Sequence, residues 1–343
     1  MRNFTYNNLN EITICTALPA LKTANGTIDN TISLHEQTTA DLGFLASQKI
    51  IQAKNIDTNQ IGVLIFLTKT PDYRGPATAM VLQNRLLIPQ DCIVYDSPTG
   101  NGGFENALNL GASLLSATHK KYAIIVFGDT ISKQLSNKDI NELNFQDGAS
   151  SLLIEKGVGS FPFNMSTTTL SNQWSSFMFP SGGFRENGLF FKNLKSKRIN
   201  QQVDHLHIDF KKIFSSTKKE LNSIIKKVLE LLHLNNSKNV AILINLIDSN
   251  LEKELERLLQ TEGYTEKVYL SSHNLPQTMA STIPLMIERI VKKEKSPLLN
   301  IISISLGEGL CLNISSLQVR ESNLLETIYS DDYYTDGNVI HEM

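Results

Sequence analysis

Two series of apolar segments, arranged in the same order, constrain the fold of this chain more than any other feature of its sequence. Each series has three apolar runs separated by segments of helical periodicity, and successive runs begin about thirty residues apart. The runs occupy residues 61–68, 92–95, 122–128, 239–247, 267–272 and 300–306. Continuous apolar runs are typical of parallel strands that are covered on both faces. The sequence therefore predicts a layered α/β fold made of two pseudo-duplicated β-α-β-α-β halves.

Charge, hydropathy and cysteine content exclude several classes of function. The formal net charge of −2 over 343 residues gives no electrostatic reason to expect a nucleic acid or an anionic membrane as partner. No apolar run approaches the ~20 residues of a membrane span, and the N-terminal residues lack a signal-peptide pattern. Cys15, Cys92 and Cys311 lie in apolar segments, without metal-ligand spacing to any histidine. We therefore expect a cytoplasmic protein with reduced thiols, no metal and no membrane span.

The segment 92–115 is the candidate functional element of the chain. An apolar strand at 92–95 runs into a turn rich in glycine, and an apolar helix begins directly after the turn. Such an elbow presents one side chain at a helix N-terminus, where free N–H groups and the helix dipole stabilise negative charge. In an enzyme the tip residue would be a nucleophilic Ser or Cys. Here the tip residue is Asn101, whose amide is not a nucleophile.

The residues of the elbow leave three interpretations of Asn101 open. It is a turn residue that tolerates positive φ, a polar group in a remodelled pocket, or part of a phosphate cradle at a helix N-terminus. The cradle is the least favoured, because no Walker-type lysine follows the glycines. The lysine-rich helix predicted at 210–232 is interpreted as a solvated face rather than a binding patch.

Five segments occur in the order of known motifs. They are T-K-T-P-D-Y-R-G-P-A-T-A at 68–79, the elbow from Asp96 to Phe104, F-Q-D-G-A at 145–149, H-L-x-I at 205–208 followed by Ile213-Phe214, and G-E-G at 307–309. In this order they resemble the β-ketoacyl-acyl-carrier-protein synthase III family of the thiolase superfamily. The resemblance covers about residues 10–318. It implies a thiolase-like five-layered α/β fold and dimerisation through the sheet edge near 92–115.

The resemblance also divides the chain into four parts. Residues 1–158, with a first short strand at 12–18, correspond to an N-terminal thiolase-like half, and 205–320 to a C-terminal half. Residues 159–204 are interpreted as an inserted loop or cap. Residues 321–343 form an acidic C-terminal segment, expected to be a tail or an edge that packs on a partner.

The family's catalytic set is replaced in this sequence. Family members use a Cys at the elbow, while a His and an Asn from the second half hold the thioester oxygen. The equivalent positions here are Asn101, Ile247 and Gln277, and a register shifted by two residues would offer Asn245 in place of Ile247. The family's coenzyme A contacts are missing as well, and its adenine-stacking Arg aligns near Asp139. The resemblance therefore implies that no catalytic residue of the usual kind is present.

Five further residues fall at the expected pocket: Phe210, Gly307, Gly309, Cys311 and His273. Phe210 replaces a glycine of the family where the acyl tunnel would need space, so we expect its ring to fill that tunnel. His273 is either a surface residue or a substitute imidazole. Cys311 is either a buried apolar side chain or a substitute nucleophile.

These features favour a synthase III-like protein of fatty-acid or polyketide-type biosynthesis that does not condense. It would act as a partner subunit, in a homodimer or in a heterodimer with an active ketoacyl synthase, and an acyl carrier protein is a further candidate partner. Two alternatives stay open: an active acyltransferase or 3-oxoacyl-acyl-carrier-protein synthase with unorthodox residues, and a small-molecule-binding protein on the same fold. No cofactor is expected. Coenzyme A or a carrier protein's phosphopantetheine would bind only if activity is retained.

Overall fold

The computed structural model of this chain describes residues 2–20, 33, 35–135, 144–157, 161–180, 206–234, 239–264, 267–273 and 277–335. Its strands are β1 (Arg2–Leu18), β2 (Ile61–Leu67), β3 (Ile93–Ser97), β4 (Tyr122–Asp129), β5 (Gly148–Lys156), β6 (Phe161–Thr169), β7 (Phe177–Met178), β8 (His207–Ile208), β9 (Val240–Asn245), β10 (Val268–Leu270), β11 (Leu298–Gly307), β12 (Cys311–Arg320) and β13 (Ile328–Tyr329). Its α-helices are α1 (Thr39–Ala53), α2 (Thr78–Arg85), α3 (Gly103–Ser116), α4 (Phe210–Lys218), α5 (Leu221–Leu234), α6 (Ser249–Thr261) and α7 (Thr282–Glu294).

The main sheet consists of two halves with mirrored strand order. The first half runs β3-β2-β4-β5-β1, and the order continues as β6-β12-β11-β9-β10 through the second half. The halves join where β1 and β6 pair antiparallel, with Phe4 opposite Met165. Within each half the three strands predicted from the apolar runs pair in parallel, β3-β2-β4 and β10-β9-β11. This topology confirms the prediction of two β-α-β-α-β units.

The side chains of the parallel strands point alternately to the two faces of the sheet, and helices pack on both faces, so the fold has five layers. On β2, Val63 and Ile65 pack into a central cluster with α3, α7 and strands of both halves, whereas Leu64 and Phe66 face α1 and α2. The outer face of the second half is covered in the same way by α4, α5 and α6. Because the central parallel strands β2 and β9 are buried on both faces, their sequences are continuous apolar runs. The result is an α-β-α-β-α arrangement in which α3 and α7 lie between the two halves of the sheet.

Two strands differ from the sequence-based expectation. β1 begins at Arg2 rather than near residue 12, and β6 lies inside the segment 159–204 that was interpreted as an inserted loop. β6 belongs to the main sheet, where it pairs with both β1 and β12. Its polar sequence hides the strand, since among its described side chains only Phe163 and Met165 are both apolar and buried, and the third buried one, Ser166, is polar. The rest of that segment, at 159–160 and 181–204, lies outside the described residues, as do His205 and Asp139.

The described part of the acidic C-terminal segment, residues 321–335, packs on its own chain. β13 pairs in parallel with β1, and the side-chain amide of Gln37 donates to the carbonyl oxygens of Ser330 and Asp332. The ring of Tyr334 lies edge-on to Phe44, with centroids 4.9 Å apart. An expectation that this part is a free tail is therefore wrong. Residues 336–343 lie outside the described ranges.

Candidate functional site at the elbow before α3

The elbow predicted from the sequence is present and its tip is buried. α3 begins at Gly103, directly after Gly102 in the left-handed region with φ 71°. The Gly103 N–H donates to the carbonyl oxygen of Gly100 at 3.1 Å, which closes the turn around Asn101. Asn101 is only 1% exposed. Its amide therefore has to find its hydrogen-bond partners inside the protein.

Glycine is required at two points where the elbow meets the second half. A Cβ atom on Gly102 would lie 2.5 Å from the backbone nitrogen of Gly307, and one on Gly307 would lie 2.2 Å from the carbonyl oxygen of Asn101. Both distances are shorter than any real Cβ contact, so the two backbones pack directly against each other at this crossing. Gly307 thus contributes to the site through its lack of a side chain.

Helix α3 is held to the second half by buried polar contacts. The Glu105 carboxylate accepts from the hydroxyls of Ser303 at 2.5 Å and Ser305 at 2.7 Å, both on β11. The side-chain amide of Asn313 on β12 donates to the carbonyl oxygen of Gly102 at 2.7 Å. Burial raises the pKa of Glu105, and the two serine hydroxyls oppose that rise. These contacts fix the position of the elbow relative to β11.

The Asn101 amide is the first member of a buried hydrogen-bonded chain across the two halves. Its Nδ2 donates to the carbonyl oxygen of Leu306 at 3.2 Å, and its Oδ1 accepts from Nδ2 of Asn245 at 2.8 Å. Oδ1 of Asn245 lies 3.1 Å from the Ser271 hydroxyl oxygen and shares its one proton with the Glu252 carboxylate, which lies closer at 2.7 Å. Nε2 of Gln277 donates to that same hydroxyl oxygen at 2.8 Å. Both polar groups of Asn101 are therefore satisfied within the protein.

Asn245, rather than Ile247, contacts Asn101. Asn245 is the last residue of β9 and points toward the elbow, as its 2.8 Å hydrogen bond requires. Ile247 follows two residues later, with φ 59°, and packs with the apolar cluster on the outer side of the second half. Of the two residues that the motif register offered for the family's His position, Asn245 is therefore the one that contacts Asn101, because the chain turns away from the sheet after β9.

Glu252 and Ser271 support this network, and sequence reasoning missed both. The Glu252 side chain, in the first turn of α6, accepts from the Ser271 hydroxyl at 2.7 Å and from the backbone N–H groups of Leu246 and Ser272, each at 3.1 Å. It is fully buried and holds the ends of β9 and β10 together. The sequence signal that could have identified Glu252 is its position as an acidic residue in the first turn of a helix that follows a buried strand.

Three charged residues surround the elbow on its other side. A Cβ atom added to Gly100 would lie 2.6 Å from Oε1 of Glu308 and 3.1 Å from Cγ of Lys69. Asp129, at the end of β4, accepts from the backbone N–H groups of Lys69 at 2.6 Å and of Ala280 at 3.1 Å. Asp129 therefore connects the first half to the turn that precedes α7.

The other sequence candidates do not converge on Asn101. Phe210 is 41% exposed at the start of α4, so its ring does not fill a closed tunnel as expected. His273 is exposed. Cys311 is half-buried, and its Sγ lies 3.6 Å from both the Asn106 amide and the Thr167 hydroxyl. Gly309 occupies the left-handed region, with φ 75° and open space around its Cβ position.

The remaining cysteines are inert, and the described residues hold no obvious metal site. Burial raises the pKa of Cys15 and of Cys92 to about 12, as the prediction of buried thiols requires. Among the described residues, no group of three His, Cys, Asp or Glu side chains is arranged to hold a metal ion. In the same part of the chain, every helix is too short or too polar to cross a bilayer.

The Asp129 carboxyl makes the stability of this site depend on pH. Burial, reinforced by the Glu308 carboxyl, raises its pKa to about 7, whereas an unfolded aspartate titrates near 4. Between about pH 4 and pH 7 the folded protein binds a proton that the unfolded chain has lost. This contribution to stability is therefore complete only below about pH 4, and it is lost as the pH rises to about 7.

We expect Asp129→Asn to flatten this dependence, because an amide does not titrate in that range. The free energy of unfolding of the unsubstituted protein should fall by at least about 1 kcal/mol more than that of the variant between pH 5 and pH 7.5. Urea denaturation at both pH values measures the difference, and the other buried acids titrate in both proteins. Equal slopes for the two proteins would contradict the assignment to Asp129.

Several known proteins resemble this chain in sequence or in fold. No family model matches the chain. The β-ketoacyl-acyl-carrier-protein synthase III of Blochmanniella floridana is 25% identical over 268 residues, which cover 78% of this chain and 80% of that protein. The synthase III of Pectobacterium atrosepticum is 30% identical over 133 residues, 38% of this chain and 42% of that protein. The crystal structure of a 3-oxoacyl-(acyl-carrier protein) synthase from Burkholderia xenovorans LB400 matches with a TM-score of 0.80 and 24% identity, covering 96% of this chain and 99% of that chain.

The mirrored sheet halves, the five layers and the structural match define a protein of the thiolase-like fold. The resemblance of the five motif segments is confirmed by relatives that match across most of the chain. The chain is similar to β-ketoacyl-acyl-carrier-protein synthases III over most of its length.

Proposed function

We propose that this chain is a non-condensing member of the β-ketoacyl-acyl-carrier-protein synthase III family that serves as the partner subunit of an active ketoacyl synthase in fatty-acid or polyketide-type biosynthesis. One observation carries the proposal: the tip of the elbow is Asn101, and both polar groups of its amide are hydrogen-bonded inside the protein. Condensation through an acyl-enzyme needs a thiolate at that point. An amide that is already hydrogen-bonded is neither a nucleophile nor free to activate one.

The replaced partners of the second half support the same proposal. The side chain that contacts Asn101 is Asn245, which cannot exchange a proton near neutral pH as an imidazole would. Gln277 reaches Asn101 only indirectly, through the Ser271 hydroxyl and Asn245. Decarboxylation of a malonyl group depends on such donors as much as on the thiolate. The loss of all three groups therefore favours a subunit without condensing chemistry over an enzyme with one altered residue.

An exposed sheet edge next to the elbow supports a subunit role. β3 is the terminal strand of its half, so its outer edge has no neighbouring strand among the described residues. Tyr95 on β3, Met80 on α2 and Leu110 on α3 are large apolar side chains exposed on the elements around this edge. Unpaired strand edges with apolar neighbours bind other chains. We infer a dimer through this edge, either with a second copy or with an active synthase, in the reducing cytoplasm that free cysteines tolerate.

The residues at the elbow do not fit an acyl group carried by coenzyme A or phosphopantetheine. A thioester oxygen would have to approach the N–H groups of Gly100 and Asn101, and the Glu308 carboxyl already lies beside Gly100. Neither carrier is therefore part of the proposed function.

The decisive experiment is incubation of the purified protein with a radiolabelled acyl thioester, followed by intact-mass analysis and by assay with malonyl carrier protein. We expect no stable acyl adduct and a condensation rate at least ~10⁴-fold below that of an active synthase assayed in parallel. Acylation at any residue, or a ketoacyl product above that limit, would overturn the proposal. Co-purification from the native host then distinguishes a heterodimer with an active synthase from a homodimer, and a lone monomer would contradict the subunit role.

A further inference from the structure

We propose that Glu308 is a second residue, besides Asn101, that excludes acyl thioesters from the elbow, because its carboxyl occupies the space in front of the Gly100 and Asn101 N–H groups. The inference rests on the proposed function and extends it. It assigns a specificity-determining role to a side chain that does not correspond to any residue of the family's catalytic set. By the motif resemblance, Glu308 stands between Gly307 and Gly309 where the family has a third glycine. The resemblance therefore implies a carboxylate in this chain at a position where the family has no side chain.

The position of the carboxyl is defined by the atoms that converge on Gly100. From the Cβ position of Gly100, Oε1 of Glu308 lies at 2.6 Å, Cε of Met279 at 3.0 Å and Cγ of Lys69 at 3.1 Å. Space for even one additional carbon atom is missing at this point. These contacts place the Glu308 carboxyl against the backbone of the elbow, where an incoming thioester carbonyl would have to displace it.

The hydrogen bonding of Glu308 indicates that the carboxyl stands in for an external group. Oε1 is buried from solvent and has no hydrogen-bond partner among the described residues. A buried polar atom without a partner costs about 1–3 kcal/mol, so such an atom is retained only where it has a role. The N–H groups of Gly100 and Asn101 face the Glu308 carboxyl and favour its charged form. This is the interaction that a helix N-terminus offers to an anion or to a developing oxyanion.

The charge around Glu308 would also oppose formation of a thiolate. Burial raises the pKa of Glu308, while the Lys69 ammonium opposes that rise. Asp129 is a second buried acid on the same side of the elbow. The Glu308 carboxyl lies beside the backbone of Gly100 and Asn101, and when it is ionised it disfavours a second negative charge on a sulfur at position 101. Restoring a cysteine at the tip should therefore not be sufficient to restore its reactivity.

The test compares three variants: Asn101→Cys, Asn101→Cys with Glu308→Ala, and Asn101→Cys with Glu308→Gln. Alanine removes both the bulk and the charge of the glutamate, whereas glutamine keeps its shape and removes only the charge. Each protein is treated with iodoacetamide from pH 6 to pH 10, and the rate at the peptide containing position 101 is compared with the rate at Cys311. Each is then incubated with acetyl-coenzyme A and analysed by intact mass. In that transfer the introduced thiolate attacks the thioester carbon, the bond to the coenzyme sulfur breaks, and coenzyme A leaves as a thiolate that takes up a proton.

We expect Asn101→Cys alone to be alkylated slowly, with a thiol pKa above the usual 8.5, and to remain unacetylated. Adding Glu308→Gln should lower the thiol pKa by about one unit, and adding Glu308→Ala should also raise the alkylation rate at pH 7 by about tenfold or more and allow acetylation. The double variant Asn101→Cys with Glu288→Gln is the matched control. Glu288, like Glu308, has one buried carboxylate oxygen without a hydrogen-bond partner among the described residues, but its described contacts, with Lys292 and Thr327, do not involve the elbow.

Two results would overturn the proposal. One is an Asn101→Cys single variant that reacts as fast as the variants altered at position 308, and the other is a gain of equal size in the Glu288→Gln control. Thermal unfolding establishes that each variant is folded before it is compared. The condensing assay of the unsubstituted protein is independent of these rates, so the proposed function can fail while this inference holds, and the reverse is also true.

Discussion

Replacing Gly102 with alanine is expected to destabilise the protein by about 3 kcal/mol or more, the largest effect of any single methyl group added at the elbow. Two costs add at this position. Gly102 has φ 71°, and an L-residue in the left-handed region costs roughly 1–2 kcal/mol. The new Cβ would also lie 2.5 Å from the backbone nitrogen of Gly307, and neither backbone can move without disturbing β11 or α3. The second cost is steric and should exceed the first.

Gly309→Ala is the matched control, because the two glycines share nearly the same backbone conformation. Gly309 has φ 75°, but no atom lies within 4 Å of its Cβ position. Its substitution should therefore cost only the roughly 1–2 kcal/mol of the left-handed conformation. Urea denaturation of both variants measures the difference, which isolates the steric part. Equal losses for the two variants would mean that the elbow and the β11–β12 turn are not in direct backbone contact.

The fold could be predicted from the sequence because a strand that is buried on both faces has a continuous apolar sequence. Each central parallel strand is an unbroken apolar run, such as Ile61–Leu67, and each connecting segment has one apolar face. The same reasoning fails for β6, which pairs with two strands but carries mainly polar side chains. Its position in the sheet is fixed by hydrogen bonds of the backbone, and these leave little trace in the order of residue types.

The elbow could be predicted as well, whereas its partners could not. Strand, glycine turn and apolar helix are local features, so Asn101 was identified at its tip. The residue opposite it depends on where β9 ends, and the sequence offered Ile247 and Asn245 two positions apart. Only the structure distinguishes them, since Asn245 is the residue that donates to Asn101 at 2.8 Å. The approach of Glu308 to Gly100 is likewise tertiary, because it joins residues of the two different halves.

A second large effect is expected where the C-terminal segment returns to the N-terminal half. Asp41 on α1 is 1% exposed at its side chain and accepts from a guanidinium nitrogen of Arg85 at 2.8 Å. It also accepts from the backbone N–H groups of Thr38 at 2.7 Å and Tyr334 at 3.3 Å. The Arg85 guanidinium stacks over the Tyr334 ring, 4.5 Å from its centroid. One carboxylate thus joins the start of α1, the end of α2 and the C-terminal segment.

We expect Asp41→Ala to cost about 3 kcal/mol, the lower end of the range for breaking a buried ion pair by removing one partner. The Arg85 guanidinium would stay buried after losing the carboxylate of Asp41. The nearby Asp72 is attracted by Arg85 and repelled by Asp41, so its carboxylate would replace the lost ion pair only in part. The exposed pair of Glu254 and Arg257 on α6 is the matched control, and Glu254→Ala should change stability by no more than about 1 kcal/mol. Hydrogen exchange adds a local measurement. The exchange rate of the Tyr334 amide should rise in Asp41→Ala and stay the same in Glu254→Ala. If the two variants lose similar stability, or if exchange at Tyr334 does not respond, the C-terminal segment is held by its pairing with β1 rather than by this carboxylate.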